Sequence, residues 1–393
     1  MTAAPFQIHI DDAEIDDLRR RLEATRWPDQ VGDDWIYGTP VDYLRVLCQY
    51  WAHEFDWRAA EQQLNSFDQF MVDLDQSDPQ HPSSPLDPSS LHVIHQRSSH
   101  RDAQPLLITH GWPGSVTEFV KIIEPLTQPE RHGGEPADAF HVICPSIPGY
   151  GFSPAPSRPG FHARACAALF STLMAKLGYS RYFAQGGDWG SAVTTWLAVL
   201  DPDHVAGIHL NLVFSGPPTD GDAMAGVTDI EARRLSERRE RMRNEVGYQH
   251  IQGSKPQTLG YSLNDSPAGL AAWIVEKFHG WTQHDGDLES AVSRDQMLTN
   301  ISVYWFTGTA TSAARLYYEN RRYGDAPAAP QRVDVATSVS MFPGELYLPP
   351  RVWVERQYNL VNWFEPTRGG HFAALEAPDE LVADIRSAFR TLR

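Results

Sequence analysis

The sequence predicts an α/β protein built on a mostly parallel sheet, covered by helices on both faces and interrupted by a helical insertion. Three observations carry that reading. From Leu91 onward, short apolar runs alternate with helical stretches, the pattern of strands joined by crossovers. At Gln185-Gly186-Gly187-Asp188-Trp189-Gly190-Ser191 a strand-like run passes into a helix-forming one through a turn bracketed by glycines. Between about 214 and 328 the alternation stops and only helical patterns remain.

Composition limits what such a protein does. A chain of 393 residues, 41% hydrophobic and 21% charged, can bury a large core and reads as globular. Its formal charge of −17 disfavours nucleic acid or an anionic membrane as a partner, because both would repel it. Cys48, Cys144 and Cys166 are too few and too scattered for a disulfide framework or a zinc site, so no metal is expected. Met1–Asp12 has neither the basic nor the apolar region of a signal peptide. No apolar run approaches the ~18 residues of a membrane span. The expectation is a cytoplasmic protein; whether it is a monomer or a homodimer is left open.

Taken in order, residues 11–24 form an amphipathic helix with Ile15, Leu18 and Leu22 on one face and Asp11 or Asp12 as its N-cap. Arg26-Trp27-Pro28 ends it. A second helix starts at Val41 and carries Leu44, Leu47, Cys48 and Trp51; a third spans Trp57–Leu64. Residues 76–90 are polar and proline-rich, an exposed loop closing an N-terminal segment of 1–90. The first part of the core, 91–213, has strands at Leu91–His95, Pro105–Thr109, Phe140–Cys144, Tyr182–Ala184 and Val205–Val213. Helices at Val116–Leu126, Phe161–Leu177 and after the glycine turn separate them. The insertion, 214–328, has helices at 229–245, 267–279 and 294–322. Strand character returns in 329–393, at Val335–Phe342 and Tyr358–Phe364, and the helix Ala377–Leu392 closes the chain. An open parallel sheet with a helical cap is the α/β-hydrolase architecture. Gly186-Gly187 lacks the third glycine and the acidic partner of a dinucleotide site, and no cofactor is expected.

The glycine turn has the layout of a nucleophile elbow, with Asp188 where serine is usual. Bulk at Gly186 or Gly190 would collide across so tight a turn. The chain order of this architecture is nucleophile, acid, histidine. His371, in Gly369-Gly370-His371-Phe372 just before the last helix, meets the third demand. The acid has three candidates: Glu345, which follows the Val339–Phe342 strand through Pro343-Gly344, and its competitors Glu365 and Asp334. His110-Gly111-Trp112-Pro113 follows an early strand, so the backbone N–H groups of Trp112 and Trp189 can converge on one developing oxyanion. Pro113 fixes the turn and suits a cis peptide.

These residues carry a resemblance to the epoxide hydrolases of the α/β-hydrolase superfamily, in the microsomal-type branch with an N-terminal wrapping segment. It covers nearly the whole chain, through Thr25-Arg26-Trp27-Pro28, Tyr50-Trp51, Asp56-Trp57-Arg58, His110–Ser115, Gly186–Gly190, Asn264-Asp265-Ser266-Pro267, Glu276-Lys277-Phe278 and Gly370-His371-Phe372. The resemblance implies that Asp188 attacks an epoxide and that His371, oriented by Glu345, delivers water. It also implies two cap tyrosines holding the epoxide oxygen, Tyr248 and Tyr317, with Tyr318 one residue away from the second assignment. The 76–90 loop replaces a compact glycine-containing turn of the family. The hydrophobic N-terminal helix of membrane-anchored animal members is not seen, so the chain is similar to soluble bacterial members. Some of those open aryl epoxides in antibiotic biosynthesis, enediyne pathways included.

The chemistry explains the residue types independently. Carboxylate attack on an epoxide carbon gives an ester, which acyl chemistry can hydrolyse, whereas serine would give a stable ether. The expected partner is a small-molecule epoxide, with Trp112, Trp189, Trp273, Trp305 and Phe306 lining an aromatic pocket, alongside Trp281 in the cap. Haloalkane dehalogenation, which also uses Asp and His on this fold, is the rival activity, but it needs halide-holding N–H donors and no cap tyrosines. A hydrolase-fold binding protein is the non-catalytic alternative.

Overall fold

The computed structural model describes residues 3–74, 87–322 and 332–393. Among the described residues nine strands form a single sheet: β1 (Ala3–Pro5), β2 (Gln69–Asp73), β3 (Ser90–Gln96), β4 (Gln104–Thr109), β5 (Phe140–Pro145), β6 (Tyr182–Gly186), β7 (Val205–Leu210), β8 (Val333–Ser340) and β9 (Tyr358–Phe364). Their order is β1-β2-β3-β5-β4-β6-β7-β8-β9. From β5 to β9 every pairing is parallel; β1, β2 and β3 add an antiparallel edge.

The central strands are apolar on both faces because both are covered. In β4, Leu106 and Ile108 point to a cluster with Ile122, Leu126, Ile385 and Phe389, from the helices Val120–Thr127 and Pro378–Arg390. Leu107, one residue out of phase, joins Phe170, Leu173, Val193 and Leu197 on the opposite face, from the helices Ala163–Lys176 and Trp189–Leu200. The three cysteines are buried free thiols.

Several expected elements shift. The Val116–Leu126 helix begins as a tight 3-10 turn, Val116–Phe119, before the α-helix Val120–Thr127. The long helix expected over 294–322 is two, Arg294–Thr307 and Ala310–Arg322. Gly308 separates them at φ 62°, a left-handed cap that ends the first helix cleanly. Short helices at Gly247–Gln252, Pro256–Leu263 and Arg351–Gln357 have no counterpart in the sequence reading. Neither do β1 and β2, which turn the front of the chain into part of the sheet. The polar loop expected at 76–90 falls, up to residue 86, outside the described residues, as does the end of the insertion near 328.

The helices between β7 and β8 lie over the carboxyl ends of the parallel strands, where open α/β sheets build their sites. The N-terminal segment ties this cap down. Trp51 Nε1 donates to Ser302 Oγ at 3.0 Å, Thr39 Oγ1 to Ala272 O at 2.9 Å, and Tyr50 Oη to Asp295 Oδ1 at 2.8 Å. Among the described residues no helix is long and apolar enough to cross a membrane.

Candidate active site

β6 ends at Gly186, and Asp188 follows at φ 48°, the only non-glycine residue with positive φ among those described. Such a backbone costs a residue with a side chain about 1–3 kcal/mol and persists only where its surroundings enforce it. The enforcement is steric. A Cβ on Gly186 would lie 2.2 Å from Gly190 O, and one on Gly190 only 1.9 Å from Thr109 O. The turn therefore closes as the glycine spacing requires and lifts Asp188 to the start of the Trp189–Leu200 helix.

Two neighbours hold the Asp188 carboxylate. Trp112 N–H donates to Oδ1 at 2.8 Å, and His371 Nε2 lies 3.5 Å from Oδ2. No corresponding bond from Trp189 N–H to this carboxylate is formed. The Trp112–Pro113 peptide is cis. His110 braces the loop: its Nδ1–H donates to Gly111 O at 3.0 Å and its Nε2 accepts from Ile147 N–H at 3.1 Å. Burial lowers its pKa to about 4 against the pull of Gly111 O and Asp188, so the ring is neutral as that pattern requires. From above, the Arg294–Thr307 helix grips the same loop. Asn300 Nδ2 donates to Pro113 O, and Tyr304 Oη to Gly114 O, each at 2.8 Å.

His371 Nδ1 is 2.8 Å from Glu345 Oε1, which also accepts from Leu346 N–H at 2.6 Å. Glu345 is 1% exposed. Its competitors are elsewhere: Glu365 is exposed beside Arg234, and Asp334 is exposed beside Arg332. Burial opposes a charge on His371, but Glu345 and Asp188 outweigh it and raise its pKa well above the ordinary imidazole value.

Tyr248 stacks on Trp112 with ring centroids 4.8 Å apart, and Tyr317 meets Trp189 edge-on at 4.8 Å and Tyr248 at 5.6 Å. Both are buried. Burial, with Asp188 adding to it, raises both phenols above their ordinary value, so each keeps its proton. Tyr317 Oη has no hydrogen-bond partner, while Tyr248 Oη accepts from Gln249 Nε2 at 3.1 Å. Tyr318 is half-buried and turned away, with the Arg322 guanidinium over its ring.

The aromatic residues divide. Trp281 packs edge-on against Trp112 at 6.0 Å and His371 at 4.9 Å, and lies 5.2 Å from Tyr248. Trp112, Trp189 and Trp281 thus surround the tyrosines and the Asp188 loop. Trp273 bonds Gln252 through Nε1 at 2.9 Å. Trp305 and Phe306 are not brought to this cluster. Their helix presents Asn300 and Tyr304 to the loop, and its 3.6-residue turn swings Trp305 under Arg21 and Phe306 onto Trp57 of the N-terminal segment.

Two charged groups near the site had no role in the sequence reading. Lys277, there only part of the Glu276-Lys277-Phe278 motif, is 4% exposed and sits between Glu245 and Glu276 with Nζ 4.9 Å from the Tyr248 ring centre. Glu118 turns its carboxyl inward from the 3-10 turn after the Trp112 loop. No spacing rule points to either position. Among the described residues no group of three or more His, Cys, Asp or Glu could hold a metal ion.

Known proteins share this arrangement of chain. A family model for the epoxide hydrolase N terminus matches residues 3–119, and one for the alpha/beta hydrolase fold matches 104–247. Epoxide hydrolase 1 of Sus scrofa is 40% identical over 410 residues, covering 97% of this chain and 87% of that protein. The chain belongs to the epoxide hydrolase family. This epoxide hydrolase superposes on the crystal structure of juvenile hormone epoxide hydrolase from the silkworm Bombyx mori with a TM-score of 0.88 at 31% identity, covering 100% of this chain and 95% of that one. The Aspergillus niger epoxide hydrolase follows at 0.86 and 29%, covering 100% and 97%. The enzyme therefore hydrolyses epoxides on an α/β-hydrolase fold with a cap.

Proposed function

We propose that this epoxide hydrolase works through a covalent ester on Asp188 and releases a vicinal diol. The observation that carries the reading is a His-linked carboxylate on an enforced turn, facing two buried, protonated phenols. Asp188 attacks one epoxide carbon while Tyr248 and Tyr317 donate to the leaving oxygen, so ring opening never places a bare alkoxide in the pocket. Esterification removes the negative charge of Asp188. With it goes part of what holds a proton on His371, so the neutral imidazole that can accept one is favoured as the ester forms. His371, oriented by Glu345, then takes a proton from water as the water oxygen adds to the ester carbonyl carbon. The N–H groups of Trp112 and Trp189 serve the resulting oxyanion. Collapse breaks the bond to the diol oxygen, His371 returns its proton there, and the carboxylic acid left on Asp188 ionises, its proton restoring the phenol that protonated the first alkoxide.

The same reading extends to substrate and chain. Flat aromatic walls from Trp112, Trp189, Tyr248 and Trp281 favour an aryl-substituted epoxide, held by ring contacts worth about 0.5–1.5 kcal/mol each. Residues 1–90 act as the strap, 91–213 with 329–393 as the core that carries Asp188, Glu345 and His371, and 214–328 as the cap that carries the tyrosines. Haloalkane dehalogenation fits less well, since two phenol donors have no use in halide release.

A single turnover with excess enzyme in oxygen-18 water tests the ester. The diol should be mostly unlabelled and the peptide containing Asp188 labelled. His371→Gln should accumulate an adduct heavier by the substrate mass, and Asp188→Ala should make neither adduct nor diol. Labelled diol in the first turnover, with unlabelled Asp188 and no adduct, would mean direct attack of water on the epoxide.

A further inference from the structure

Beside Asp188 lies a small cavity of about 20 Å³. That is room for one water molecule and little else. Its polar lining comes from Thr109, Glu118, Gln185, Asn211, Asp188 and His371. Two of these groups are unspent. Thr109 Oγ1 and Gln185 Oε1 are buried without any hydrogen-bond partner, on residues 1% and 2% exposed. The Glu118 side chain, half-buried, reaches the same space. Unsatisfied buried polar atoms are costly, so two beside one water-sized space point to what fills it.

Glu118 is placed there by design of the loop rather than by accident of packing. A Cβ on Gly114 would fall 1.4 Å from Glu118 Oε1, so the carboxyl occupies the space that any side chain at 114 would need. Ser115 caps the turn that carries it, accepting from Thr117 N–H and donating to Asn300.

We propose that Thr109, Gln185 and Glu118 hold one ordered water in this cavity, between His371 and the Asp188 carboxyl carbon, and that this is the water that hydrolyses the ester. Glu118 is a positioning residue: it hydrogen-bonds the water and neither gains nor loses a proton. The water oxygen bonds to the ester carbonyl carbon and its proton passes to His371 Nε2. Burial pushes Glu118 up to about 8 against the lowering influence of His371 and with the help of Asp188, which agrees with an uncharged donor at neutral pH. An ionised Glu118 would compete with Asp188 and Glu345 for His371; a neutral one leaves that pairing alone. The catalytic part of this inference rests on the two-step reading above, while the water site itself does not.

Two measurements test them separately. A high-resolution crystal structure of the unliganded enzyme should show one ordered water within hydrogen-bond distance of Thr109, Glu118 and Gln185; a dry cavity would overturn the site. In rapid-quench single turnovers, Glu118→Leu should form the ester at close to the native rate but hydrolyse it roughly 10²-fold more slowly. Glu118→Gln, which keeps shape and donor, should restore most of that loss, and Gly114→Ala, which displaces the carboxyl, should resemble Glu118→Leu. Equal slowing of both steps, or native hydrolysis in Glu118→Leu, would overturn the positioning role. A Glu118→Gln defect as large as that of Glu118→Leu would overturn the neutral-donor assignment. If no variant, His371→Gln included, forms an ester, the two-step reading fails and the positioning role falls with it.

Discussion

On the proposed mechanism the two phenols, carried by different helices, face one developing charge. Tyr248 is fixed by stacking on Trp112, and Tyr317 by its edge contact with Trp189. Each single change to Phe should slow ester formation by up to roughly 10²-fold, and the double change by on the order of 10³-fold or more, because one donor partly covers for the other. Tyr318→Phe should be silent. Rapid-quench measurement of ester formation reads all four, and a damaging Tyr318→Phe would move the second donor by one residue. His371 yields a pH prediction of definite sign. Its folded pKa is raised, so its stabilisation is fully present below the unfolded value near 6.5 and is lost as pH rises through the folded value. The thermal-stability gap between the native enzyme and His371→Gln should therefore shrink as pH rises above about 6.5. A gap that is flat or widens would show that the imidazolium is not held between Glu345 and Asp188.

Among the elements, the Arg294–Thr307 helix has the largest reach into the site without supplying a reacting group. Asn300 is 1% exposed; its Nδ2 donates to Pro113 O, and its Oδ1 accepts from Ser115 Oγ at 2.8 Å and from Thr117 Oγ1 at 3.2 Å. Asn300→Leu would leave Pro113 O unpaired in a dry place, at a cost of about 1–3 kcal/mol, while Ser115 Oγ and Thr117 Oγ1 keep their mutual bond at 2.9 Å. It would also loosen the loop that aims Trp112 N–H. Denaturant titration should show a loss within that range, and kcat should fall more than KM changes. A variant destabilised but with native kcat would separate the clamp from the chemistry.

At the scale of the whole molecule, the N-terminal segment bridges sheet and cap. β1 and β2 extend the sheet edge, while Arg21, Thr39, Tyr50 and Trp51 bond to cap residues. Trp51 is the most deeply set of these, 3% exposed with its indole N–H on Ser302. Trp51→Ala should cost about 3–5 kcal/mol, the range for deleting a large buried aromatic. Circular dichroism and tryptophan fluorescence should still report one coincident transition. Two separated transitions would mean that cap and core fold independently.

The sequence by itself determined what is local. The glycine spacing around Asp188 specifies a turn because the collision avoided at Gly186 is with Gly190, four residues on, although Gly190 in turn makes room for Thr109, far back in the chain. Helices such as Trp57–Leu64 and Asp229–Glu245 were legible to the residue, because periodicity is a property of neighbours. The order Asp188, acid, His371 was legible too, since a fold constrains the sequence of its loops. Only the tertiary structure decided which acid meets His371, because Glu345, Glu365 and Asp334 differ in burial and not in spacing. It alone recruited β1, whose three residues carry no pattern and pair with Phe70–Val72 far along the chain. It turned Trp305 and Phe306 away and brought Trp281 in, because which face of a helix meets the site is set by what packs behind it. It also aimed Glu118 into a cavity whose walls come from four separate parts of the chain, and no local rule encodes where such a carboxyl will point.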